Sequence, residues 1–135
     1  MERVFVDTNI VIDLLQKRPN FYEESQELFT LADKKELKIC ISSLSFATTY
    51  YLLSKHYNSN DARKIMATFK VLVDVLAVDD KIIELALASD FKDFEDGIQY
   101  FTAIENSMSK IITRNKKDFK NSVLPVLTAN EFLKI

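Results

Sequence analysis

Oxygen-bearing side chains follow two short apolar runs of the sequence and begin one helical pattern. Asp7-Thr8-Asn9 follows the first run, and Thr113-Arg114-Asn115 follows a later one, with Asp118 shortly beyond it. Asp93-Phe94-Glu95-Asp96 opens the helical pattern that precedes the later run. Carboxylates that meet repel one another, so one pKa must rise unless a cation lies between them. Oxygen-only ligands suit Mg²⁺ or Mn²⁺, the usual ions for attack on a phosphodiester.

Short apolar runs alternate with longer amphipathic stretches along the chain, which predicts an α/β fold. We expect three α/β/α layers around a central, mostly parallel, five-stranded sheet, formed as one domain over residues 1–135. Pro125 suits an edge strand better than a central one. The predicted strands are 4–6, 38–41, 75–78, 110–113 and 123–127, and the predicted helices are 8–15, 20–35, 43–56, 62–72, 81–88, 96–108 and 131–133.

A parallel sheet would bring the candidate residues together, because ligands bind beyond the carboxyl ends of its strands. Helices run antiparallel to those strands, so the helix before the fourth strand begins at the same edge. We therefore expect Asp7, Asp96, Thr113 and Asn115 to converge. Local alternatives remain open: Asp7 could serve only as a helix cap, and the acidic stretch only as a solvated loop at the positive end of a helix.

Composition excludes several other classes of protein. The chain of 135 residues has 18 basic and 20 acidic residues, a net charge of −2, which argues against a strongly basic nucleic-acid binder. One glycine and two prolines exclude a glycine-rich phosphate loop. No apolar run reaches the roughly 18 residues of a membrane span. The single cysteine, Cys40, predicts a buried thiol in a cytoplasmic protein, and neither it nor the single histidine, His56, accompanies the acids as a zinc ligand would.

Three sequence segments together resemble the PIN domain family, and the resemblance extends over essentially the whole chain. They are Val4-Phe5-Val6-Asp7-Thr8-Asn9-Ile10-Val11-Ile12-Asp13, Asp93-Phe94-Glu95-Asp96 and Ile111-Ile112-Thr113-Arg114-Asn115 with Asp118-Phe119. The chain looks most like the small bacterial members related to the VapC toxins of toxin–antitoxin pairs. The resemblance implies endoribonuclease activity, in which water activated by Mg²⁺ or Mn²⁺ cleaves RNA to leave a 5′-phosphate and a 3′-hydroxyl.

The resemblance also assigns roles to the acidic residues. Asp7 matches the first metal-binding aspartate, and Asp96 matches the acid at the start of the helix before the fourth strand. Asp93 is expected to assist as a metal ligand. Asn115 occupies the place where the family often has its last acid, and Asp118 is a nearby substitute.

Two positions depart from the family pattern. Thr48 aligns where the family commonly has a glutamate, and Asn115 is also uncharged. Fewer carboxylates imply a single, weakly held ion and reduced activity. The alternative is a degenerate PIN domain that binds RNA or protein without cutting. A phosphatase would need a second aspartate at position 9, where the chain has Asn9.

Binding of RNA requires positive charge near the acids. Lys110, Arg114, Lys116, Lys117 and Lys120 cluster in sequence around the fourth strand, and Lys17-Arg18 follows the first helix. We expect the substrate-binding residues to be Thr8, Asn9, Thr113, Arg114, Lys116 and Lys117.

The family also implies a homodimer and an antitoxin partner. The apolar faces of helices 21–32 and 62–72 could serve either interface or the core. Gly97, the only glycine, directly follows Asp96, and we expect it either to permit a close approach of substrate or strand or to be a tolerant position.

Overall fold

The computed structural model describes residues 1–135 as five β-strands, seven α-helices and one short 3₁₀ helix. The strands are β1 (Arg3–Val6), β2 (Lys38–Ser42), β3 (Val73–Leu76), β4 (Lys110–Ile112) and β5 (Val126–Leu127). The helices are α1 (Thr8–Leu15), α2 (Tyr22–Asp33), α3 (Ser43–His56), α4 (Ser59–Lys70), α5 (Asp80–Leu87), α6 (Phe94–Glu105) and α7 (Ala129–Leu133). The 3₁₀ helix spans Lys116–Phe119. The helices lack the length and apolar composition of a membrane-spanning segment.

The five strands form one sheet in the order β3-β2-β1-β4-β5, and every neighbouring pair is parallel. This confirms the predicted fold class. The chain builds outward from β1 to β3 and then returns to place β4 on the other side of β1. The strand order therefore reverses between β1 and β4, the position where open α/β sheets bind ligands.

Alternating side chains of the strands divide the core into two faces. On one face Val4 and Val6 pack with residues of α1, α2, α3 and α4. On the other face Phe5 packs with Cys40 and with residues of α6. Cys40 is fully buried, and this burial raises the pKa of its thiol. The sheet is thus covered on both faces, as the apolar strands predicted.

Two predicted strand boundaries are wrong because side chains interrupt the pattern of backbone bonding. β3 lies two residues earlier than 75–78, since Val73 pairs with Ile39 and the N–H of Val78 donates to the Ser43 hydroxyl beyond the strand. β5 is limited to two residues. Before it, the Ser122 side chain bonds Leu124 in a local turn, and Pro125 has no N–H to donate.

Boundaries of α6 also differ from 96–108, and the difference matters for the acidic residues. Asp93 caps the helix, and its Oδ1 accepts hydrogen bonds from the backbone N–H groups of Glu95 and Asp96. The expected acidic loop is therefore the first turn of α6. The helix ends at Glu105, and Ser107 then adopts a left-handed backbone (φ 57°).

Candidate active site

Asp7 directly after β1, residues of α1, α3 and α6, and Asn115 beyond the end of β4 line a small open cavity at the point where the strand order reverses. Its volume is about 200 Å³. We call it the acidic cavity, and its lining is Asp7, Thr8, Asn9, Leu44, Thr48, Glu95, Asp96, Gln99 and Asn115. A single lining residue is hydrophobic, so the cavity presents carboxylate, amide and hydroxyl groups.

Asp7 lies at the floor of the acidic cavity, 8% exposed, directly after β1. Its Oδ1 caps α1 by accepting from the Thr8 N–H at 2.9 Å. The same oxygen accepts from Gln99 Nε2 at 3.0 Å, and Oδ2 accepts from the Thr113 hydroxyl at 2.8 Å. Asp7 thus caps α1, but the cap accounts for only one of the three hydrogen bonds that its carboxylate accepts. The other two tie β1 to α6 and to the end of β4.

Asp96 approaches the same cavity from the first turn of α6 and is half-buried. Burial, together with weaker repulsion from neighbouring carboxylates, raises the pKa of its carboxyl group to about 7. Those carboxylates are Asp93, Asp118, Asp7 and Glu95. Every charged group responsible is a carboxylate, so the cavity has a strongly negative potential. A divalent cation among oxygen ligands would relieve it. The residues therefore fit one hard cation.

Asp93 and Asp118 influence this potential without lining the cavity. Asp93 is exposed and its Oδ1 is bonded to the backbone of α6, whereas Asp118 lies in the 3₁₀ helix. Nowhere in the chain do three or more Asp, Glu, His or Cys side chains come close enough together to hold a metal ion. Helix capping directs Oδ1 of Asp93 to the backbone of α6, and its role as a third ligand beside Asp7 and Asp96 stays a prediction.

The polar residues after β4 hold the cavity together rather than simply forming a turn. Thr113 is fully buried, and its hydroxyl bonds Asp7 while accepting from the Asn115 N–H at 3.1 Å. Asn9 donates to Thr113 at 3.3 Å and accepts from the Arg114 N–H. The side chain of Asn115 is exposed at the rim, and Thr48 faces the cavity from α3.

Arg114 lies in a different place from the one expected. Its guanidinium donates to both oxygens of the fully buried Asp13, at 2.6 and 3.0 Å, and stacks 4.1 Å from the centre of the Phe21 ring. These residues line a second cavity, of about 340 Å³. The expected RNA-binding arginine is thus engaged with a buried carboxylate, Asp13, to which the sequence motif assigned no role.

The other expected basic residues divide into paired and free groups. Lys110 pairs with Glu2 at the edge of the sheet opposite the cavity, because it is the first residue of β4. Lys116 pairs with Glu131 at 2.9 Å. Lys17, Lys117 and Lys120 are exposed and form no ion pair.

Gln99 and Glu95 are cavity residues that sequence reasoning did not select. Gln99 lies three residues after Asp96, so both share one face of α6, and this spacing could have identified it. Gly97 faces the neighbouring helix instead of substrate or a strand. A Cβ added there would lie 3.3 Å from the Ala86 Cβ of α5.

Comparison with known proteins agrees with this architecture. A family model described as "PIN domain" matches residues 3–117. The chain is 32% identical over 139 residues to Ribonuclease VapC1 of Aquifex aeolicus, covering 97% of this chain and 93% of that protein.

Solved structures show the same fold at lower identity. DNA-bound VapBC from Salmonella typhimurium matches with a TM-score of 0.72 at 17% identity, covering 96% of this chain and 99% of that one. The sarcin–ricin loop cleaving toxin VapC20 of Mycobacterium tuberculosis matches with a TM-score of 0.63 at 18% identity, covering 80% of this chain and 86% of that one.

Proposed function

The chain belongs to the PIN domain family, and from that premise we propose that it is a metal-dependent endoribonuclease, the toxin of a toxin–antitoxin pair. One observation carries the proposal. Asp7 from the end of β1 and Asp96 from the start of α6 line the same acidic cavity at the reversal of strand order. Two carboxylates from distant parts of the chain in a small polar cavity are suited to binding a hard cation.

The cation is Mg²⁺ or Mn²⁺, held by Asp7 and Asp96. When bound, such an ion lowers the pKa of a water molecule and neutralises charge on a phosphodiester. Glu95 and Asn115 lie at the rim of the cavity, where each can orient a water molecule or a phosphate oxygen. Asp93 and Asp118 contribute negative potential without direct contact.

Other residues of the chain orient the acids and hold the substrate. Thr113 fixes Oδ2 of Asp7, which leaves the carboxylate few alternative orientations. Thr8 and Asn9 line the cavity, where the Thr8 hydroxyl and the second Nδ2 proton of Asn9 can donate to phosphate oxygens. Lys117, Lys120 and Lys17 are free to bind the RNA backbone, since no protein carboxylate neutralises them. Arg114 and Lys116 contribute less than the sequence predicted, because both already have carboxylate partners.

An antitoxin protein is the partner we propose, together with a second copy of this chain. The support is similarity to a VapC ribonuclease and to VapBC toxin–antitoxin complexes. Co-expression with the product of an adjacent small reading frame, followed by size-exclusion chromatography with light scattering, measures both associations. A chain that remains monomeric alone and with that product would refute them.

Cleavage of RNA by the purified protein with Mg²⁺ or Mn²⁺ tests the enzymatic part. Asp7→Asn and Asp96→Asn should each lower the rate by about a hundredfold or more, because each removes a charged ligand worth several kcal/mol. Asp80→Asn is the matched control: it neutralises an exposed aspartate in the first turn of α5, outside the cavity. Cleavage that persists in both variants, or that survives removal of metal by a chelator, would refute the proposal.

A second candidate function is favoured by the small number of carboxylates that could bind a metal ion in the acidic cavity. Asp7, Glu95 and Asp96 line the cavity but are not close enough together to form a three-carboxylate metal site. Thr48 and Asn115 supply uncharged groups where the family often has acids. The chain would then be a degenerate PIN domain that binds RNA or protein without cutting it. RNA binding without cleavage in either metal, measured by fluorescence anisotropy on the same preparation, would favour this function.

A further inference from the structure

Gln99 forms the centre of a buried hydrogen-bond network beside Asp7. Its side chain is 3% exposed, and Ser42 and Ser45, which it contacts, are fully buried. The amide Nε2 donates to Asp7 Oδ1 at 3.0 Å and to Ser45 Oγ at 2.7 Å, while Oε1 accepts from the Ser42 hydroxyl. One amide thus joins the ends of β1 and β2 to α3 and α6.

The orientation of this amide follows from the groups around it. Ser42 Oγ accepts from the Ser45 backbone N–H at 2.9 Å, so its own proton is available to Gln99 Oε1. Both amide protons are then directed at Asp7 and Ser45. Rotating the amide by half a turn would place its oxygen against the Asp7 carboxylate and leave buried donors unpaired, which is costly.

The same logic sets the direction of the next hydrogen bond. Ser45 Oγ already accepts from Gln99, and its remaining partner is Thr8 Oγ1 at 2.6 Å. If Ser45 donates to Thr8, every buried hydroxyl proton in the network has an acceptor. The hydroxyl proton of Thr8 is then free to point into the acidic cavity, which Thr8 lines.

We propose that Gln99 is a positioning residue that holds the Asp7 carboxylate in place for a cation and, through Ser45, makes Thr8 a hydrogen-bond donor to a phosphate oxygen. This role rests on the proposed function. A neutral amide is suited to it, because it gives Asp7 a donor without adding a charge that would compete with the cation. A carboxylate at position 99 would lack both donors, and an aliphatic side chain would leave Asp7 Oδ1 with the Thr8 N–H as its single donor.

The first experiment examines metal-free protein by ¹⁵N–¹H NMR. The side-chain amide signals of Gln99 are assigned by their loss in Gln99→Met. We expect Asp7→Asn to shift them, because a charged acceptor is replaced by a weaker neutral one. Thr102→Val is the matched control, since the buried Thr102 hydroxyl donates only to Ile98 of its own helix. Gln99 signals that respond to Asp7→Asn no more than to Thr102→Val would overturn the proposal.

The second experiment measures Mn²⁺ binding from the electron paramagnetic resonance signal of the free ion. Gln99→Met should weaken binding about 10- to 100-fold, the usual effect of losing a residue that orients a metal ligand. Thr102→Val should leave the affinity unchanged. Should Gln99→Met fail to fold, Ser45→Ala removes one support of Gln99 and should weaken binding in the same direction. A folded Gln99→Met or Ser45→Ala protein with wild-type Mn²⁺ affinity would contradict the role.

These outcomes separate the positioning role from the proposed function. Wild-type protein that binds Mn²⁺ but does not cut RNA refutes the nuclease and leaves the binding comparison to decide the role of Gln99. Wild-type protein that binds no Mn²⁺ refutes metal dependence, and the NMR comparison alone then decides whether Gln99 holds Asp7.

Discussion

Replacing Arg114 with methionine tests the buried ion pair that joins the end of β4 to α1. The Asp13 carboxylate is fully buried and accepts two bonds from the Arg114 guanidinium. The only other cation paired with it is Arg18, with Nη1 at 3.8 Å. Methionine retains much of the aliphatic packing over Phe21 but leaves the carboxylate without its main partner.

The expected loss of stability is large for a domain of this size. Removing one partner of a buried ion pair costs about 3–5 kcal/mol, because the remaining charge is desolvated and unpaired. Loss of the stacking on Phe21 adds about 0.5–1 kcal/mol. Arg18 can move toward Asp13 and recover part of this, so we expect a decrease of about 3 kcal/mol in the free energy of unfolding, a large share of the roughly 5–15 kcal/mol typical of domains.

Urea unfolding followed by far-UV circular dichroism measures this loss, provided that the slope of the unfolding free energy against urea concentration is the same in both proteins. Arg63→Met is the matched control, because Arg63 is exposed on α4 and forms no ion pair. It should stay within about 0.5 kcal/mol of wild type. The double variant Asp13→Leu/Arg114→Met has no unpaired buried charge, and we expect it to be more stable than Arg114→Met alone.

Two results would refute this reasoning. One is a decrease in the free energy of unfolding for Arg114→Met that is no greater than the decrease for Arg63→Met. The other is a double variant that is less stable than Arg114→Met alone. A measurement of RNA binding separates the structural role of Arg114 from the RNA-binding role that the sequence predicted for it. Lys117→Met should weaken RNA binding without loss of stability, since Lys117 is exposed and unpaired.

Three further predictions concern other parts of the fold. Gly97→Ala should change the melting temperature little, because a gain of about 1 kcal/mol in helix propensity offsets crowding against Ala86, whereas Gly97→Val should lower it clearly in the same thermal scan. Asp93→Ala should cost about 1 kcal/mol in urea unfolding by removing the cap of α6, with the exposed Asp90→Ala as control. Cys40 should resist a thiol reagent at pH 8 and react on unfolding, because burial disfavours its thiolate; rapid reaction of native protein would contradict this.

The local features of this fold were readable from the sequence because each depends on near neighbours. The helix 8–15 has the bounds that its apolar spacing predicted, and Thr128 and Glu131, three residues apart, form a capping box at the start of α7. The parallel arrangement of the strands followed from the alternation of strands and helices along the chain. Errors arose at β3, β5 and α6, where a side-chain hydrogen bond or a proline decides the boundary, and periodicity does not report such bonds.

The placement of Asp7 and Asp96 in one cavity could also be predicted, since it needs only the rule that parallel strands end at one edge. The direction of individual side chains could not. Asp93 turns to its own helix, and Arg114 turns to Asp13.

The sequence by itself determined which segments become strands and helices, that the strands are parallel and covered by helices, and at which edge of the sheet the acids gather. These features depend on spacing along the chain. Only the tertiary structure decided the partners: Arg114 with Asp13, and Gln99 with Asp7. These pairs join residues far apart in sequence, and a buried polar group takes whichever complementary group the packing brings within reach. No local pattern in the sequence encodes that choice.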